Sequence, residues 1–596
     1  MSVPSDPHVI GDGDRQAAFA STLVDEWVRA GIRHAVVCPG SRSTPLTLAV
    51  AAEPRLDLHV RLDERSAGFT ALGIGMASGR PAVVVVTSGT AAAELHPSVV
   101  EADQARIPML VCTADRPPEL RDVGAPQTID QTHLFGRAPR WFADPGVPDE
   151  TSRSSWRSLG SRSVAEAMTG PAGPGPVHLN LPFREPLLGD AAYGVIPDGR
   201  DDGAPWHRVD RGVAAPTPEL VEELVASGAF VPHSQGLIVA GAGCGDPDAV
   251  LALAEALWWP VLADPRSGLR GRGNGVVAAA DGILRSTEFA TSHPPHLVLH
   301  LGERWVSKVV TTFLAGFPSL VVDPHGWTDP ERSADRVLRC HPTAFCRALT
   351  AAVAIPGGGR SDGIAPWPSD WGIRQDGADR VLWTRLGGLG TQVEPALTEP
   401  ALAHRLFQAM PAGGTLVVSS SMPVRDIEAF GSPRADPPRV LANRGANGID
   451  GVVSTALGVA MATGPTVAFV GDLAFLHDVS ALVGPADSRP ALTVVVADNG
   501  GGGIFSFLPQ ATQLPTGRFE RLFGTPQSAD PAAVARGFGW DVVEIDGAGW
   551  TRAIDAAIVP TGGDRVVVVR LPDREANVAA HDEVNAAIVE AVDSAR

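Results

Sequence analysis

The fold of this chain is decided by one stretch, TVAFVGDLAFLHDVSALVGPADSRPALTVVVADNGGGGIF (Thr466–Phe505). It contains two apolar runs typical of buried strands, and each ends in an oxygen-bearing side chain beside glycine: Gly471-Asp472 after the first, Asn499 after the second. A parallel β-α-β unit places both loops at one sheet edge, where ligands of open α/β sheets bind. Asp472 and Asn499 there offer two oxygen ligands to Mg²⁺, and Gly500–Gly503 allow a phosphate to approach closely. The stretch predicts a metal-bridged diphosphate site, although a glycine run alone is usually a flexible turn.

Length and composition indicate a folded, acidic protein with several domains. The chain has 596 residues, more than one core accommodates, and 44% of them are hydrophobic. A net charge of −19 argues against a nucleic-acid or anionic-membrane surface. We expect no membrane span and no signal peptide, because the sequence shows no apolar run of the required length. Five scattered cysteines without a C-x-x-C pair predict reduced thiols in a cytoplasmic protein and no zinc site.

The sequence divides into three α/β blocks, at residues 1–195, 209–352 and 380–596, with 353–379 predicted as a linker. Near-continuous Val/Leu/Ile runs such as Ala82–Thr87 and His296–Gly302 are typical of strands buried on both faces. Each block is therefore predicted to be a Rossmann-like, doubly wound parallel sheet flanked by helices. GAGCGD (Gly241–Asp246) is an incomplete dinucleotide fingerprint, which we interpret as a strand-to-helix turn; a cofactor-domain fold without its cofactor is the alternative.

The opening pattern of strand, Gly-Asp, one helix of chain, strand and Asn-x-Gly resembles the motif of thiamine diphosphate (ThDP) enzymes. The resemblance implies the decarboxylase-like domain order: a pyrimidine-binding domain first, a middle domain, and a diphosphate-binding domain last. It also implies that Glu64, within RLDERSAGF (Arg61–Phe69), activates the cofactor by reaching its pyrimidine ring across a subunit interface. Taken alone, Glu64 would be interpreted as part of a surface charge cluster with Asp63 and Arg65.

Four further segments narrow the resemblance to one family. They are CPGSRSTPL (Cys38–Leu46), TADRPPEL (Thr113–Leu120), GAPQTIDQ (Gly124–Gln131) and NRGANGIDG (Asn443–Gly451). These segments are similar to the 2-succinyl-5-enolpyruvyl-6-hydroxy-3-cyclohexene-1-carboxylate synthases of menaquinone biosynthesis. The resemblance covers essentially the whole chain and is weakest in the middle block. It implies a transferase that decarboxylates 2-oxoglutarate and adds the succinyl unit to isochorismate in a 1,4 sense, releasing CO₂.

The same resemblance assigns roles to individual residues. The residues implied to bind ThDP are Glu64, Ile449, Gly471, Asp472, Leu473, Asn499, Gly501, Ile504 and Phe505. The implied ligands of Mg²⁺, with Mn²⁺ as an alternative ion, are Asp472, Asn499 and Gly501. The residues implied to contact the substrates are Ser41, Arg42, Arg116, Gln127, Lys308, Ser421, Arg425 and Arg444. For the arginines the alternative is an ordinary ion pair, and for the serines it is a helix cap.

Three positions deserve separate comment. Lys308 is the single lysine among 48 basic residues, which favours a site that needs a compact ammonium, with chance in an arginine-rich chain as the alternative. Pro126 stands where the family usually has asparagine, so a side-chain amide and a backbone donor are lost beside Gln127. Gly500 also replaces a common asparagine, while Gly501 is unaffected.

Two other functions compete with this prediction. One is a different ThDP-dependent 2-oxo acid decarboxylase or carboligase, such as an acetolactate synthase-like enzyme, which would need fewer cations than Arg42, Arg116, Arg425 and Lys308 supply. The other is a nucleotide- or flavin-binding regulatory protein that kept the fold and lost the chemistry. The family resemblance further implies a homodimer or homotetramer with its active sites at the subunit interface.

Overall fold

Three six-stranded parallel β-sheets, each flanked by helices, form the chain in the computed structural model. The structure describes residues 10–595 except 193, 211, 213, 272, 274, 354–365, 389–392, 486–488 and 559–562. The predicted α/β fold class with three doubly wound sheets is confirmed. Within these described ranges, no helix is long and apolar enough to cross a membrane.

The first sheet has the strand order β2-β1-β3-β4-β6-β5. Its strands are β1 (His34–Val37), β2 (Asp57–Val60), β3 (Ala82–Val86), β4 (Met109–Asp115), β5 (Trp141–Ala143) and β6 (Pro176–Pro182). Its helices are α1 (Asp12–Arg29), α2 (Thr44–Ala52), α3 (Glu64–Ser78), α4 (Thr90–Ala93), α5 (His96–Gln104) and α6 (Trp156–Thr169). The central strands β3 and β4 are buried along their whole length, as expected for a parallel sheet covered on both faces.

The second sheet has the order β12-β11-β10-β7-β8-β9. Its strands are β7 (Gly236–Ala240), β8 (Val261–Ala263), β9 (Val276–Val277), β10 (Leu297–Leu301), β11 (Ser319–Val322) and β12 (Ala334–Leu338). Its helices are α7 (Pro218–Ala226), α8 (Pro247–Leu257), α9 (Ala280–Leu284), α10 (Thr287–Ser292), α11 (Lys308–Leu314) and α12 (Pro342–Val353). Read from β9, this is the strand order of dinucleotide-binding domains. The segment Gly241–Asp246 forms the predicted turn between β7 and α8, and Asp246 caps that helix.

The third sheet has the order β14-β13-β15-β16-β18-β17, which repeats the order of the first sheet. Its strands are β13 (Thr415–Val418), β14 (Arg439–Leu441), β15 (Thr466–Gly471), β16 (Leu492–Asp498), β17 (Asp541–Ile545) and β18 (Arg565–Arg570). The helices of this part are α13 (Pro366–Arg385), α14 (Glu399–Ala409), α15 (Met422–Phe430), α16 (Val452–Thr463), α17 (Asp472–His477), α18 (Gln510–Gln513), α19 (Thr516–Phe519), α20 (Pro531–Gly537), α21 (Trp550–Ile558) and α22 (Arg574–Ser594). The decisive stretch forms β15, α17 and β16, with β15 paired directly to β16 in parallel.

The segment predicted as a linker, 353–379, contains regular structure. Residue 353 ends α12, residues 354–365 lie outside the described part of the chain, and α13 begins at Pro366. Trp367 and Trp371 of α13 are buried in the hydrophobic core, so this helix is anchored by packing. The segment was predicted as a linker because it is rich in proline and glycine, which are typical of loops.

The first and third domains are joined by close contact between α3 and α16. A Cβ atom built on Gly73 of α3 would lie 2.0 Å from the Thr455 carbonyl oxygen, and one on Gly458 of α16 would lie 2.0 Å from that of Thr70. Both positions require glycine because the two helix backbones approach too closely for any side chain. The two domains therefore share a rigid helix–helix interface.

The second and third domains are joined through Arg270, a fully buried arginine. Its guanidinium donates to the backbone oxygens of Ile427 (3.0 Å), Glu428 (2.9 Å) and Gly431 (2.7 Å). These carbonyls lie at the C-terminal end of α15, where a cation satisfies unpaired acceptors and interacts favourably with the helix dipole. Burial lowers the pKa of Arg270 to about 10, which still leaves it charged at neutral pH. Helix α15 is thus fixed from its C-terminus.

Candidate active site

A cavity of about 540 Å³ opens at the carboxyl ends of the third sheet. Its wall is built from the loops after β13, β15 and β16, the place where ligands bind to open α/β sheets. The residues lining it are Glu399, Ser420, Ser421, Met422, Pro423, Arg425, Asp426, Arg444, Asn447, Ile449, Phe469, Gly471, Asp472, Leu473, Ala474, Ala497, Asn499, Gly501, Gly502, Gly503, Ile504 and Phe505. All of the residues implied to bind ThDP, except Glu64, are therefore brought together.

Asp472 is one of three buried carboxylates that line this cavity, with Glu399 and Asp426. It is the first residue of α17, and its Oδ1 accepts from the backbone N–H of Leu473 at 2.7 Å. Burial raises the pKa of Asp472 to about 6, and the nearby Asp498 contributes to the rise. A carboxylate whose charge is disfavoured in this way is well suited to a cation, because the cation would stabilise the ionised form.

Asn499 supplies an oxygen without a partner. Its Oδ1 is buried and has no hydrogen-bond partner among the described residues, while its Nδ2 donates to Glu399 Oε1 at 2.5 Å. A Cβ atom on Gly503 would lie 2.6 Å from Asn499 Nδ2, so the glycine leaves the space that the amide fills. An unpaired buried oxygen beside a carboxylate fits a hard divalent cation.

The glycine loop after Asn499 is held in a conformation that other residues rarely adopt. Gly500 and Gly501 have φ angles of 75° and 136°, and a Cβ atom on Gly501 would lie 2.2 Å from the Gly524 carbonyl oxygen. No atom of the described chain lies within 4 Å of a Cβ built on Gly471, which leaves that backbone open towards the cavity. Asp472, Asn499 and the Gly501 carbonyl together fit a metal-bound diphosphate. No group of three or more His, Cys, Asp or Glu residues in the described ranges could hold a metal, but this ligand set needs only one of them.

Two arginines give the cavity its positive charge. Burial lowers the pKa of Arg425 and of Arg444, and for Arg444 the neighbouring cations Arg266 and Arg425 lower it further. Arg425 Nη1 donates to the Ser421 carbonyl at 2.5 Å. Ser421 has φ 75° and ψ −132°, a backbone conformation that costs on the order of 1–3 kcal/mol for a residue other than glycine. The strained backbone of Ser421 thus lies beside Arg425. An acidic ligand would stabilise the charges of the neighbouring arginines.

Lys308 lies outside the lining of the cavity, on a segment tied to α15. It is exposed at the first position of α11. The two preceding residues donate their backbone N–H groups to the buried Glu428, Val306 at 2.8 Å and Ser307 at 2.7 Å. Ser307 Oγ also donates to Asp281 Oδ2 at 2.5 Å. The segment carrying Lys308 is therefore fixed to the helix that carries Arg425.

The substrate residues predicted in the first domain form a separate cluster around Ser88. Arg116 Nη1 donates to Ser88 Oγ, and Gln127 Nε2 donates to the Ser88 carbonyl at 3.0 Å. Arg42 is buried, donates to a backbone carbonyl after β6, and lowers the pKa of Arg116 in addition to the effect of burial. Ser41 is exposed beside it. This cluster, like the cavity, gathers cations at the end of a parallel sheet.

Glu64 begins α3 and is not among the residues that line the cavity of its own chain. Asp63 caps this helix by accepting from the Ser66 N–H at 2.8 Å. Burial raises the pKa of the half-buried Glu64 carboxyl. The following residue, Arg65, donates to the backbone oxygen of His477 at 2.9 Å and so contacts the third domain of the same chain. No first-domain residue is among those that line the cavity in the described structure.

The structure also brings in residues that the sequence reasoning missed. Ser88 lies in the TSGTAA segment, where serine and glycine after a strand give no local signal of a binding residue. Glu101 of α5 is buried and accepts from the backbone N–H groups of Gly445 (2.7 Å) and Ala446 (2.6 Å), directly after Arg444. Glu399 accepts a hydrogen bond from Asn499, and Glu428 accepts hydrogen bonds from the two residues before Lys308. A buried glutamate that accepts from a distant loop leaves no local sequence signal.

Comparison with known proteins adds an independent result. Family models match three regions: "Thiamine pyrophosphate enzyme, N-terminal TPP binding domain" over residues 18–134, "Middle domain of thiamine pyrophosphate" over 222–418, and "Thiamine pyrophosphate enzyme, C-terminal TPP binding domain" over 427–571. The chain is 42% identical to a protein of Chloroflexus aurantiacus over 95% of this chain and 94% of the relative. It is 41% identical to one of Geobacillus kaustophilus (95% and 97%) and 40% identical to one of Myxococcus xanthus (96% and 97%). Each of the three relatives bears the name 2-succinyl-5-enolpyruvyl-6-hydroxy-3-cyclohexene-1-carboxylate synthase.

Proposed function

Because the chain belongs to the family of 2-succinyl-5-enolpyruvyl-6-hydroxy-3-cyclohexene-1-carboxylate synthases, which are ThDP enzymes, we propose that it makes this product in menaquinone biosynthesis. The substrates in this proposal are 2-oxoglutarate, which loses CO₂, and isochorismate, which receives the succinyl unit. The observation that carries it is the cavity of the third domain, where an acidic metal position and two half-buried arginines lie together.

The residues of the cavity suit ThDP held through a divalent cation. Asp472, Asn499 Oδ1 and the Gly501 carbonyl would hold Mg²⁺, or Mn²⁺, against the diphosphate. Ile449 and Phe505 supply apolar wall on which the ring system would rest. When bound, ThDP supplies the carbon nucleophile and the electron sink for the decarboxylation.

The cations of the chain suit two substrates that each carry two carboxylates. Arg425 and Arg444 line the cavity and are half-buried, and their planar guanidinium groups match carboxylates through paired N–H donors. Arg116 and Arg42 present the same chemistry from the first domain. Lys308 adds a point charge from the second domain. This concentration of positive charge in a protein of net charge −19 indicates acidic ligands.

We place each complete active site between two copies of the chain, in a homodimer or homotetramer. The support is that Glu64 and the Ser88 cluster lie on the first domain, whereas the metal position lies in a cavity lined by the third domain alone in the described structure. Large apolar side chains are exposed just before Glu64, with Val60 57% and Leu62 68% accessible. A second copy would cover them. Glu64 of one copy would then hold or release a proton at the pyrimidine ring bound by its partner.

One experiment decides between the proposed reaction and the nearest alternative. CO₂ release is measured with 2-oxoglutarate, with and without isochorismate, and with pyruvate, in the presence of ThDP and Mg²⁺. The proposal requires release from 2-oxoglutarate that rises when isochorismate is added and is matched by isochorismate consumption. Turnover of pyruvate without isochorismate consumption would instead support an acetolactate synthase-like enzyme. Unchanged activity in Glu64→Gln would contradict the proposed activation.

A cytoplasmic location belongs to the same proposal, supported by five free buried cysteines.

A further inference from the structure

We propose that Glu399 is a positioning residue that fixes the orientation of the Asn499 amide, so that Asn499 Oδ1 faces the metal. This inference rests on the proposed metal–ThDP site and assigns a role to a residue outside the metal ligands themselves. Glu399 lines the cavity and is 3% exposed. It is separated from Asn499 by 100 positions in sequence.

The argument begins with the asymmetry of an amide. An asparagine side chain ends in an acceptor and a donor of nearly equal size, and only its hydrogen-bond partners decide which one points where. A carboxylate accepts and does not donate. Because Glu399 Oε1 lies 2.5 Å from Asn499 Nδ2, the NH₂ group must face Glu399 and the oxygen must face the other way. The reversed amide would place two oxygens against each other.

The oxygen that is turned away has an unused lone pair. Asn499 Oδ1 is buried and has no partner within the described ranges of the chain. A metal ligand of this kind needs an oxygen, because an amide NH₂ group cannot coordinate Mg²⁺. Glu399 therefore selects the orientation in which Asn499 is competent as a ligand, in the way that outer residues orient metal ligands in other proteins.

Glu399 is itself held firmly. It is the first residue of α14, whose N-terminus favours a negative charge, and Thr398 caps that helix by accepting from the Ala401 N–H at 3.3 Å. At the same end of the amide, a Cβ atom on Gly503 would lie 2.6 Å from Asn499 Nδ2. The NH₂ group therefore has a fixed acceptor beside it and a glycine that leaves room for it.

A double-mutant cycle separates orientation from simple charge attraction. Glu399→Gln and Glu399→Leu are made in the natural sequence and in an Asn499→Asp background, and Asp379→Asn serves as a control that removes a half-buried carboxylate in α13 away from the cavity lining. Mn²⁺ is titrated into each full-length apoprotein at saturating ThDP. Free Mn²⁺ is followed by electron paramagnetic resonance, and the melting temperature of each apoprotein is recorded.

In the natural sequence we expect Glu399→Leu to weaken Mn²⁺ binding roughly 10- to 100-fold. Glu399→Gln keeps an acceptor oxygen and should bind Mn²⁺ within about threefold of the natural protein. In the Asn499→Asp background both side-chain oxygens are equivalent, so Glu399 has no orientation to select, and Glu399→Leu should change Mn²⁺ binding by no more than about threefold. The control should bind as the natural protein does.

Equal weakening by Glu399→Gln in both backgrounds would show that Glu399 acts only through its charge, and would overturn the inference. So would a Glu399→Leu protein that folds and binds Mn²⁺ like the natural one. If Glu399→Leu does not fold, the size of the Glu399→Gln effect in the natural sequence decides: binding within about threefold of the natural protein supports orientation, and a weakening of about tenfold or more shows that charge alone acts. Failure of the natural protein to bind Mn²⁺ with ThDP would overturn the proposed metal site itself. If the natural protein binds Mn²⁺ and the Glu399 substitutions have no effect, only the role of Glu399 is overturned.

Discussion

Two inactive variants of this chain are expected to restore activity to each other when they assemble together. Glu64→Gln removes the carboxylate that the first domain would offer to ThDP, and Asp472→Ala removes the carboxylate of the metal position. In the described structure the cavity around Asp472 is lined by third-domain residues alone, and Glu64 is not among them. If each site is built from the first domain of one copy and the third domain of another, a mixed pair contains one doubly altered site and one unaltered site.

The size of the recovery follows from two-fold symmetry. Pairs purified through two different tags, one on each variant, should have about half the specific activity of the natural protein, and a statistical mixture should have about a quarter. The assay is isochorismate consumption with 2-oxoglutarate, ThDP and Mg²⁺, and each variant alone is the control. A mixed pair that is confirmed by mass and has no activity would refute the reasoning, because it would show that Glu64 and Asp472 of one chain serve the same site.

Three further substitutions test individual contacts. Glu101→Gln removes one of two acceptors for the loop after Arg444, so we expect a loss of about 2 kcal/mol in the free energy of unfolding and weaker ThDP binding; urea denaturation and ThDP titration measure both, and an unchanged ThDP affinity would contradict the role of the loop. Asp478 is fully buried and accepts from Ser454, and burial raises its pKa from 3.8 to about 6. The contribution of this carboxyl to stability is present at pH below 3.8 and is lost as the pH rises through 6. The free energy of unfolding of Asp478→Asn should therefore rise relative to that of the natural protein by on the order of 3 kcal/mol between pH 3.5 and 7.5. A difference between the urea midpoints of the two proteins that does not change with pH would exclude this. Ser421→Gly relieves a positive φ and removes a side chain that makes no cap hydrogen bond to the described residues, so we expect about 1 kcal/mol of added stability together with a higher KM for the substrates; a lower melting temperature would show that the serine is not strained.

The strands that the sequence predicted best are the ones buried on both faces. β3 is a continuous apolar run and β16 is nearly one, because their side chains are buried on both faces of the sheet, and that composition is readable without a structure. The edge strands β5 and β14 were not predicted. Each has three residues and is only partly buried, so neither shows a run long enough to be distinguished from a loop.

The closeness of Asp472 and Asn499 was predictable because the two side chains share one β-α-β unit. Parallel pairing of β15 with β16 brings Asp472 and Asn499 to the same edge whatever the rest of the fold does. Glu399 was not predictable, because its contact with Asn499 joins the start of α14 to the end of β16 and depends on how the layers stack. The same reason conceals Glu428, which holds the segment before Lys308 through backbone groups that no sequence motif records.

The glycine contacts between α3 and α16 have a consequence for how two active sites influence each other. Glu64 begins α3, and Ile449 lies just before α16 in the same chain. In the proposed assembly these two residues serve different active sites, yet the helix backbones meet directly at Gly73 and Gly458, and Ser66 Oγ lies 2.9 Å from Ser454 Oγ across the same interface. A displacement of α3 caused by events at one site would therefore be passed directly to the start of α16 at the other. We expect the two sites of a pair to be mechanically coupled, so that binding at one alters the affinity of its neighbour.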